Sequence, residues 1–364
     1  SLPLGQDKLG IHSSLNTSPL LSFFPFIAAN LTSNSGILYG VNQLNNSLII
    51  FDRFSLENAN MVIFAKSGSG KSYAAKLEVL RLLMFGTDVI IIDPENEYEN
   101  LARTVGGSYF KISLASSDHI NPFDIPKIPQ GEDPSEVLKS HVANLAGLMK
   151  LMLGGLSAAE DSLMDRAILE TYASRDIVPG KDFAQAEPPR LQDLETVLRS
   201  VEGGTELAER LYKFTRGSYA GFTNEHTTVD FNNRLLVFSI RDLEEELRPT
   251  AMYIILNFIW NLIRADFKKR VVIIDEAWMM VKNPESALFL FGLVKRARKY
   301  FLGITTITQD VDDFVASQYG KPIITNSSLQ VLLKQAPASI DQLGNLFNLS
   351  EGEKNLLLEA PVGE

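Results

Sequence analysis

The sequence contains no cysteine. Disulfide bonds, thiolate zinc sites and cysteine nucleophiles are therefore all excluded. Histidine is also scarce, and the four histidines are scattered without metal-ligand spacing, at His12, His119, His141 and His226. We therefore expect no zinc site.

The sequence also lacks a long hydrophobic run near its start. The longest such run, residues 19–29, falls short of the roughly 20 apolar residues of a membrane-spanning helix. It contains two prolines and no basic leader, which is atypical of a signal peptide. The chain begins at Ser1 rather than Met. We expect residues 1–35 to be a docking segment that follows an amino-terminal domain outside this sequence.

Positive charge is in deficit. Lys and Arg number 34 against 44 Asp and Glu, so the net charge is -10. An acidic chain is not a general polyanion binder, and contact with nucleic acid would need a local basic patch. The 364 residues, 45% of them hydrophobic, have room for one large or two ordinary globular domains.

Strands and helices alternate in the first third of the sequence. A predicted hairpin, 36–41 and 47–52, surrounds Asn45 and Asn46. A buried strand at 61–64, a helix at 71–85 and an apolar strand at 88–93 follow. This alternation predicts an α/β fold with a mostly parallel central sheet flanked by helices.

The middle of the sequence is predicted to be helical throughout. Capping-box patterns start at Asp133 and Ser157. Strands then resume at 234–240, 271–275, 302–307 and 329–334. We interpret 131–223 as an all-α insertion domain within a nucleotide-binding domain built from 36–130 and 224–364.

Residues 64–73, FAKSGSGKSY, are close to a phosphate-binding loop. The departure is Ala65, where the strict pattern has glycine, but the first position chiefly needs a small residue. A predicted strand precedes the loop and a helix follows it, the context that the motif requires. The predicted nucleotide-binding residues are Ser67, Gly68, Ser69, Gly70, Lys71, Ser72 and Tyr73.

Each part of the loop has a physical role. The backbone N–H groups of 67–70 can surround phosphate oxygens at a helix N-terminus. Lys71 would reach the β and γ phosphates, and the Ser72 hydroxyl would join a magnesium ion. We therefore predict a site for ATP and magnesium.

The second half of such a site is an apolar strand that ends in acids. Residues 271–276, VVIIDE, fit this description. Asp275 would hold magnesium through its water shell, and Glu276 would act as general base. The strand that ends at Asp93 is a rival, although the sequence after it, Asp-Pro-Glu, is explained by a helix cap with proline at the first helical position. Glu95 and Glu97 either approach the nucleotide or are solvated acids at the start of that helix.

Gln309 ends the strand that follows the acidic pair. A polar amide there can bond both the attacking water and the γ-phosphate and so report ATP occupancy. The alternative is an ordinary amide at the end of a strand.

A basic cluster, KRARK at 295–299, lies on the preceding predicted helix. Lys295, Arg298 and Lys299 share one helical face, whereas Arg296 points elsewhere. The cluster is either a solvated face that complements the helix dipole or the source of an arginine finger for a neighbouring subunit, with Arg298 slightly preferred to Arg296. Arg241 is a weaker candidate.

The two tryptophans, Trp260 and Trp278, lie in apolar helical contexts. We interpret both as core residues rather than stacking platforms.

Several segments, taken in order, resemble the large ATPases of type IV secretion and conjugation machines, the VirB4, TraC and TrbE class of the HerA/FtsK superfamily. These segments are AKSGSGKS, IIDPENEY, INPF, VVIIDEAW, KRARKYFLG and TTITQDVDDF. The loop and the acidic pair are generic to P-loop ATPases, whereas DPENEY and KRARKY with ITQD narrow the family. The opening SLPLG and SFFPF resemble the segment after the amino-terminal domain in these proteins.

The resemblance implies a RecA-like motor domain with an all-α insertion that assembles as a hexamer, although the isolated domain could be monomeric. It implies ATP hydrolysis that powers pilus assembly and substrate transfer, at the cytoplasmic face of the bacterial inner membrane. The implied partners are other secretion subunits and the coupling ATPase, with membrane attachment through them. On this basis Lys71, Ser72, Asp275, Glu276, Gln309 and the arginines at 296 and 298 carry over.

Two other functions stay open. One is a DNA translocase of the same superfamily, which would make DNA a partner. The other is a structural platform that a bound nucleotide stabilises by mass action. Glu276 argues against the platform, because a positioned general base has no use without turnover.

Overall fold

The computed structural model describes residues 32–361, apart from 44, 127, 129–131, 182, 184 and 185. Most of the predicted docking segment, residues 1–31, lies outside this range. Contacts divide the chain into two units, with the boundary after Phe51. The predicted hairpin therefore belongs to the first unit.

The described part of the first unit is an antiparallel hairpin. It consists of β1 (Ile37–Val41) and β2 (Leu48–Phe51). Tyr39 stacks on Phe51 with ring centroids 4.3 Å apart. Asn46 has a φ of 55°, the left-handed conformation that asparagine tolerates in hairpin turns. The hairpin prediction is confirmed.

The second unit is built on a seven-stranded sheet in which every pairing is parallel. Its strands are β3 (Met61–Phe64), β4 (Asp88–Asp93), β5 (Ser108–Lys111), β6 (Leu235–Ser239), β7 (Arg270–Ile274), β8 (Leu302–Thr308) and β9 (Leu329–Leu332). The strand order is β5-β6-β4-β7-β8-β3-β9. The predicted parallel sheet is confirmed, and β5 is a strand that the sequence analysis did not predict.

Helices join the strands. They are α1 (Lys71–Met84), α2 (Glu99–Val105), α3 (Pro134–Met152), α4 (Ala158–Ala173), α5 (Leu191–Ser200), α6 (Thr205–Thr215), α7 (Ala220–Thr223), α8 (Arg248–Ala265), α9 (Trp278–Val281), α10 (Pro284–Arg296), α11 (Val311–Ala316), α12 (Gly320–Thr325), α13 (Ile340–Phe347) and α14 (Glu351–Glu359). Short 3-10 helices occupy Arg53–Ser55 and Ala297–Tyr300.

The central strands are apolar because helices cover both faces of the sheet. Every residue of β4 and β7 is buried. Strands buried on both faces appear in sequence as continuous apolar runs rather than as alternating patterns. All seven strands end at the same edge of the sheet, so the loops that follow them meet there.

The helices α3 to α7 lie between β5 and β6 in the sequence. Asp133 caps α3 by accepting the N–H of Ser135 at 2.9 Å. Ser157 and Glu160 form the predicted capping box of α4. Apolar side chains of this helical block belong to the same hydrophobic core as the sheet. The domain boundaries at 35, 130 and 223 stay predictions.

The predicted helix start at Asp93 and Pro94 is wrong. Helix α2 begins at Glu99, with Tyr98 as its N-cap residue. Asp93 is fully buried, and its carboxylate accepts the backbone N–H groups of Glu97 at 3.0 Å and Tyr98 at 2.9 Å. The aspartate therefore caps the loop before the helix, because a buried carboxylate must be satisfied by nearby donors.

In the part of the chain that the structure describes, no helix combines the length and the apolar character needed to cross a membrane.

Candidate nucleotide-binding site

The glycine-rich loop connects β3 to α1 and is anchored to two neighbouring strands at its start. The N–H of Ala65 donates to the carbonyl of Thr308 at 3.2 Å. The N–H of Lys66 donates to the carbonyl of Lys334, just past β9, at 3.0 Å. Ala65 is 1% exposed, so a small side chain suits this position. The loop therefore starts from a fixed point at the carboxyl edge of the sheet.

Two glycines give the loop its path. Gly68 has a φ of 74° and Gly70 a φ of 96°, conformations that favour glycine. Gly70 is the N-cap of α1, and the first turn of a helix leaves its N–H groups without intrahelical acceptors. The Ser69 hydroxyl is buried and has no hydrogen-bond partner among the described residues. These features fit a phosphate group at the helix N-terminus.

The acidic pair follows β7 directly. Asp275 donates its N–H to the carbonyl of Ile92 on β4 at 3.2 Å. Ala277 donates to Ile307 on β8 at 2.9 Å. The pair is thus held between two strands. Glu276 has a φ of 48°, a left-handed conformation that costs a non-glycine residue about 1–3 kcal/mol. Such strain is typical of functional positions.

Lys71 joins the loop to the acidic pair. Its Nζ lies 3.2 Å from Oδ1 of Asp275 and also contacts Oε1 of Glu276. Burial alone would lower the pKa of Lys71, but the charges and hydrogen bonds of the two carboxylates outweigh it and raise the pKa. Lys71 is therefore a buried cation whose charge the two acids stabilise.

Asp275 is strongly perturbed. Burial raises the pKa of its carboxyl from 3.8 to about 6. Lys71 opposes this rise, whereas the neighbouring charge of Glu276 adds to it. A buried carboxylate with an incompletely compensated charge is well suited to receive a cation.

Two aromatic residues that the sequence analysis did not place in the site contact the acids. The Tyr98 hydroxyl donates to Oδ2 of Asp275 at 3.5 Å. The Trp278 indole Nε1 donates to Oε2 of Glu276 at 2.9 Å. Trp278 packs against the hydrophobic core, as predicted, but it is only partly buried and its indole N–H is bound to Glu276, a contact that the prediction did not include. Trp260 is buried, as predicted.

The rival acids lie at and after the end of β4, the strand that pairs with β7. Burial raises the pKa of Asp93, whose oxygens are occupied by the loop that it caps. Glu95 pairs with Arg248 at 3.1 Å. Glu97 has one buried carboxylate oxygen without a hydrogen-bond partner among the described residues.

Gln309 follows β8 and is exposed. Strand β8 lies between β7, which carries the acidic pair, and β3, which carries the loop. The residue before Gln309, Thr308, is the one whose carbonyl holds Ala65. By strand order, Gln309 therefore lies at the carboxyl edge of the sheet, between the strands that carry Glu276 and the loop, and its role as a sensor stays a prediction.

The arginines at 296 and 298 are not brought to the loop of the same chain. Both precede β8, whereas the loop follows β3, so they lie at opposite edges of the sheet, about 20 Å apart. The Arg296 guanidinium lies 4.8 Å from the Trp260 ring centroid, and its Nε donates to Gly292 at 2.9 Å. Arg298 is exposed.

One detail of the basic cluster differs from the prediction. Helix α10 ends at Arg296, and a 3-10 helix carries Arg298 and Lys299, so one continuous helical face is absent. Arg241 lies at the carboxyl edge just past β6, exposed, and its carbonyl accepts a hydrogen bond from Arg248.

Ser72 and Asp275 are suitable ligands for magnesium. Ser72 is the residue after Lys71 on the first turn of α1, and Asp275 contacts the Lys71 ammonium group. Among the described residues no group of three or more His, Cys, Asp or Glu side chains could hold a metal. Magnesium in nucleotide sites needs only one or two protein ligands besides phosphates and water, so the residues present fit it.

The parallel sheet, the glycine loop at a helix N-terminus and the lysine beside an acidic pair define a RecA-like P-loop nucleoside triphosphatase. Two family models agree. Residues 205–361 match the TraG P-loop domain, and residues 48–173 match the central domain of the helicase HerA.

Solved structures narrow the family. The structure of VirB4 of Thermoanaerobacter pseudethanolicus matches with a TM-score of 0.83 and 30% identity, over 92% of this chain and 93% of that one. The chain therefore belongs to the VirB4 family of type IV secretion ATPases.

Other proteins match this chain at lower sequence identity. Protein TraC of Escherichia coli K12 is 22% identical over 93% of this chain. The chain spans 40% of TraC. The plasmid coupling protein TrwB, in complex with ADP and Mg2+, has a TM-score of 0.56 at 12% identity over 86% of this chain and 78% of that one, which shows a shared fold.

Proposed function

We propose that this chain is the ATP-hydrolysing motor part of a type IV secretion or conjugation apparatus, which powers pilus assembly and substrate transfer across the bacterial envelope. The observation that carries the proposal is the contact of Lys71 with both Asp275 and Glu276 at the end of the glycine loop. Membership of the VirB4 family and the likeness to TraC support the cellular role.

Each residue of the site has a separate role in the proposed hydrolysis. Lys71 leaves the acids and binds the β and γ phosphates, whose negative charge replaces that of the two carboxylates. Once free of Lys71, Glu276 accepts a proton from the attacking water. Gln309 orients that water and contacts the γ-phosphate. Bound magnesium, held by Ser72 and Asp275, would neutralise charge on the phosphate oxygens.

The loop supplies fixed donors for the phosphates. The Ser69 N–H donates to the carbonyl of Lys66 at 3.2 Å within the loop. We expect the other N–H groups of 67–70 and those of the first turn of α1 to bind the phosphates. Tyr73, on the first turn, is 65% exposed and therefore available to the nucleotide or to a partner.

The arginines act in trans in this proposal. Because Arg296 and Arg298 lie at the opposite edge of the sheet from the loop, neither can serve its own site without a large movement. In a ring, such as a hexamer, the same edge faces the loop of a neighbour. Exposed Arg298 is better placed to be inserted than Arg296, which is engaged with Trp260.

The complete protein would lie at the cytoplasmic face of the inner membrane, attached through other secretion subunits and beside the coupling ATPase. The match to the HerA helicase central domain favours one alternative, a motor that moves DNA. The strained backbone of Glu276 argues against a platform that binds nucleotide without turnover, since such strain serves catalysis.

The test is ATP hydrolysis with and without single- and double-stranded DNA, with Lys71→Ala as the blank and circular dichroism as the check on its fold. Turnover that DNA leaves unchanged supports a motor that works on protein. Strong stimulation by DNA supports the translocase. Equal hydrolysis by the wild type and Lys71→Ala would contradict the site.

A further inference from the structure

Both carboxylate oxygens of Glu276 are held by donors. Oε1 contacts Lys71, and Oε2 accepts the indole N–H of Trp278 at 2.9 Å. The Glu276 residue is 2% exposed, so water cannot easily replace either partner. The two donors differ in what a nucleotide does to them: phosphates would attract the charged Lys71, whereas they have no comparable attraction for a neutral indole.

Trp278 is itself held from the other side. It starts α9, and Lys282 lies at the end of that helix with its Nζ 5.6 Å from the Trp278 ring centroid. The same Nζ lies 3.8 Å from Oδ2 of Asp313 on α11. Helix α11 starts two residues after Gln309. Trp278 therefore connects Glu276, through Lys282 and Asp313, to helix α11. This helix follows Gln309, the amide predicted to contact the γ-phosphate.

We propose that Trp278 is the positioning residue of the general base. When phosphates draw Lys71 away, the indole N–H still holds Oε2 of Glu276 and leaves Oε1 free to receive the proton of the attacking water. The water oxygen bonds to the γ-phosphorus as the bond from phosphorus to the β,γ-bridging oxygen breaks, giving ADP and phosphate. The inference rests on the proposed hydrolysis and adds a role that neither the loop nor the acidic pair supplies.

The competing explanation is packing, in which the Trp278 ring merely fills space beside α9 and supports Lys282. Two substitutions separate the explanations. Trp278→Phe keeps an aromatic ring without an N–H. Trp278→His keeps an N–H at the position of the indole nitrogen, two atoms from Cγ, and loses the larger ring. A packing role favours phenylalanine, and a hydrogen-bonding role favours histidine.

The experiment measures kcat and KM for ATP at pH 8, where an ordinary histidine is neutral. We expect Trp278→Phe to lose roughly 10-fold to 100-fold in kcat, as misplaced catalytic groups do, with KM within about threefold of the wild type. We expect Trp278→His to retain more turnover than Trp278→Phe. Either of two results would overturn the proposal. One is wild-type turnover by Trp278→Phe, and the other is turnover by Trp278→His that does not exceed that of Trp278→Phe.

A second measurement does not depend on turnover. The chain has two tryptophans, so an indole ¹⁵N–¹H spectrum contains two side-chain signals. Trp278→Phe identifies the Trp278 signal. We expect Glu276→Gln to shift that signal and to leave the Trp260 signal in place, since the Trp260 indole nitrogen has no hydrogen-bond partner among the described residues. An unchanged Trp278 signal would show that the hydrogen bond is absent.

The two proposals fail in different ways. If the wild type binds ATP and does not hydrolyse it, the proposed function fails, whatever the indole signals show. If the wild type turns over and Trp278→Phe equals it, the motor stands and the positioning role falls. In the Glu276→Gln background, Trp278→Phe should cause no further loss, because both changes act through one carboxylate.

Discussion

Lys71 and Asp275 form a buried ion pair, with Nζ 3.2 Å from Oδ1. The lysine of the phosphate loop is thus already bound to acids before any phosphate arrives. A nucleotide must exchange one set of negative charges for another around the same ammonium group. In the proposed mechanism Glu276, the general base, is released from Lys71 in the same event, so it can accept a proton only when the site is filled.

Replacing the proposed base should separate binding from turnover. We expect Glu276→Gln to lose at least about 100-fold in kcat, because an amide cannot accept the proton. ATP affinity should stay equal or rise, since Lys71 is then held by one carboxylate rather than two. Turnover assays and titration with a fluorescent nucleotide check this. Glu202→Gln, at an exposed position, is the matched control, and undiminished hydrolysis by Glu276→Gln would remove it as the base.

The raised pKa of Asp275 predicts a pH-dependent cost to stability. Its pKa is about 6 in the folded protein against 3.8 ordinarily, so the folded state holds the proton more tightly. Stability from the protonated form is complete below about pH 4 and is lost as the pH rises through about 6. Asp275→Asn mimics the protonated form. It should therefore stabilise the nucleotide-free protein more at pH 8 than at pH 5.

Chemical denaturation of the wild type and Asp275→Asn at the two pH values measures this difference. An equal effect at pH 5 and pH 8 would contradict the assigned pKa. The same variant should lose magnesium-dependent hydrolysis, so a gain in stability would accompany a loss of function.

Gln309 should act on turnover rather than on binding. We expect Gln309→Ala to lower kcat by roughly 10-fold to 100-fold, because the attacking water loses its orienting group. The affinity for ADP should be unchanged. Gln318→Ala, an exposed glutamine between α11 and α12, controls for the loss of a surface amide. Equal effects of the two substitutions would make Gln309 an ordinary strand-end residue.

Mixing variants tests whether Arg298 acts in trans. Arg298→Ala keeps its own loop, and Lys71→Ala keeps its arginine, so each is inactive for a different reason. In a mixed ring an intact loop meets an intact arginine, and turnover should exceed that of either variant alone. Lys299→Ala should behave as the wild type. Activity equal to the average of the two variants would place Arg298 outside the site.

His141 predicts an acid-sensitive helical block. Its Nε2 lies 2.8 Å from the Tyr172 hydroxyl, which donates to the Phe123 carbonyl, so the histidine donates to Tyr172. Burial lowers the pKa of His141 to about 4. The unfolded state therefore binds the extra proton between about pH 6.5 and pH 4, and stability falls as the pH falls through that window.

The expected loss from this residue is about 1.4 kcal/mol per pH unit. Unfolding of the wild type and His141→Leu across the window measures it as the difference between their slopes. His226→Gln, at a half-exposed side chain, should follow the wild type. Parallel slopes for the wild type and His141→Leu would contradict the assignment.

The main architecture and the pairing of loop and acids could be predicted from local patterns. Apolar runs such as 89–92 and 271–274 indicate strands buried on both faces, and glycines at 68 and 70 mark the conformations that the loop needs. The sequence order alone places Asp275 and Gln309 at the ends of parallel strands. The contact of Asp275 with Lys71 then follows from the geometry of such a sheet.

Other contacts had no local signal. Tyr98 reaches Asp275 only because β4 and β7 are neighbours, a pairing between residues far apart in the chain. Trp278 packs against the core, as the apolar sequence around it predicts. Its hydrogen bond to Glu276 had no local signal, because it depends on the left-handed turn at Glu276. The predicted helix start at Asp93 is wrong because the buried Asp93 carboxylate accepts N–H groups of the loop that precedes the helix.

The helices α3 to α7 leave the sheet after its edge strand β5 and return at the adjoining strand β6. The residues of the candidate nucleotide site come instead from β3, β7 and β8 and the turns that follow them. The sequence of α3 to α7 can consequently change to suit new partners, while the residues of the candidate nucleotide site are restrained by the chemistry of that site. The same nucleotide site can therefore serve assemblies with different partners when only the surface of the helical block changes.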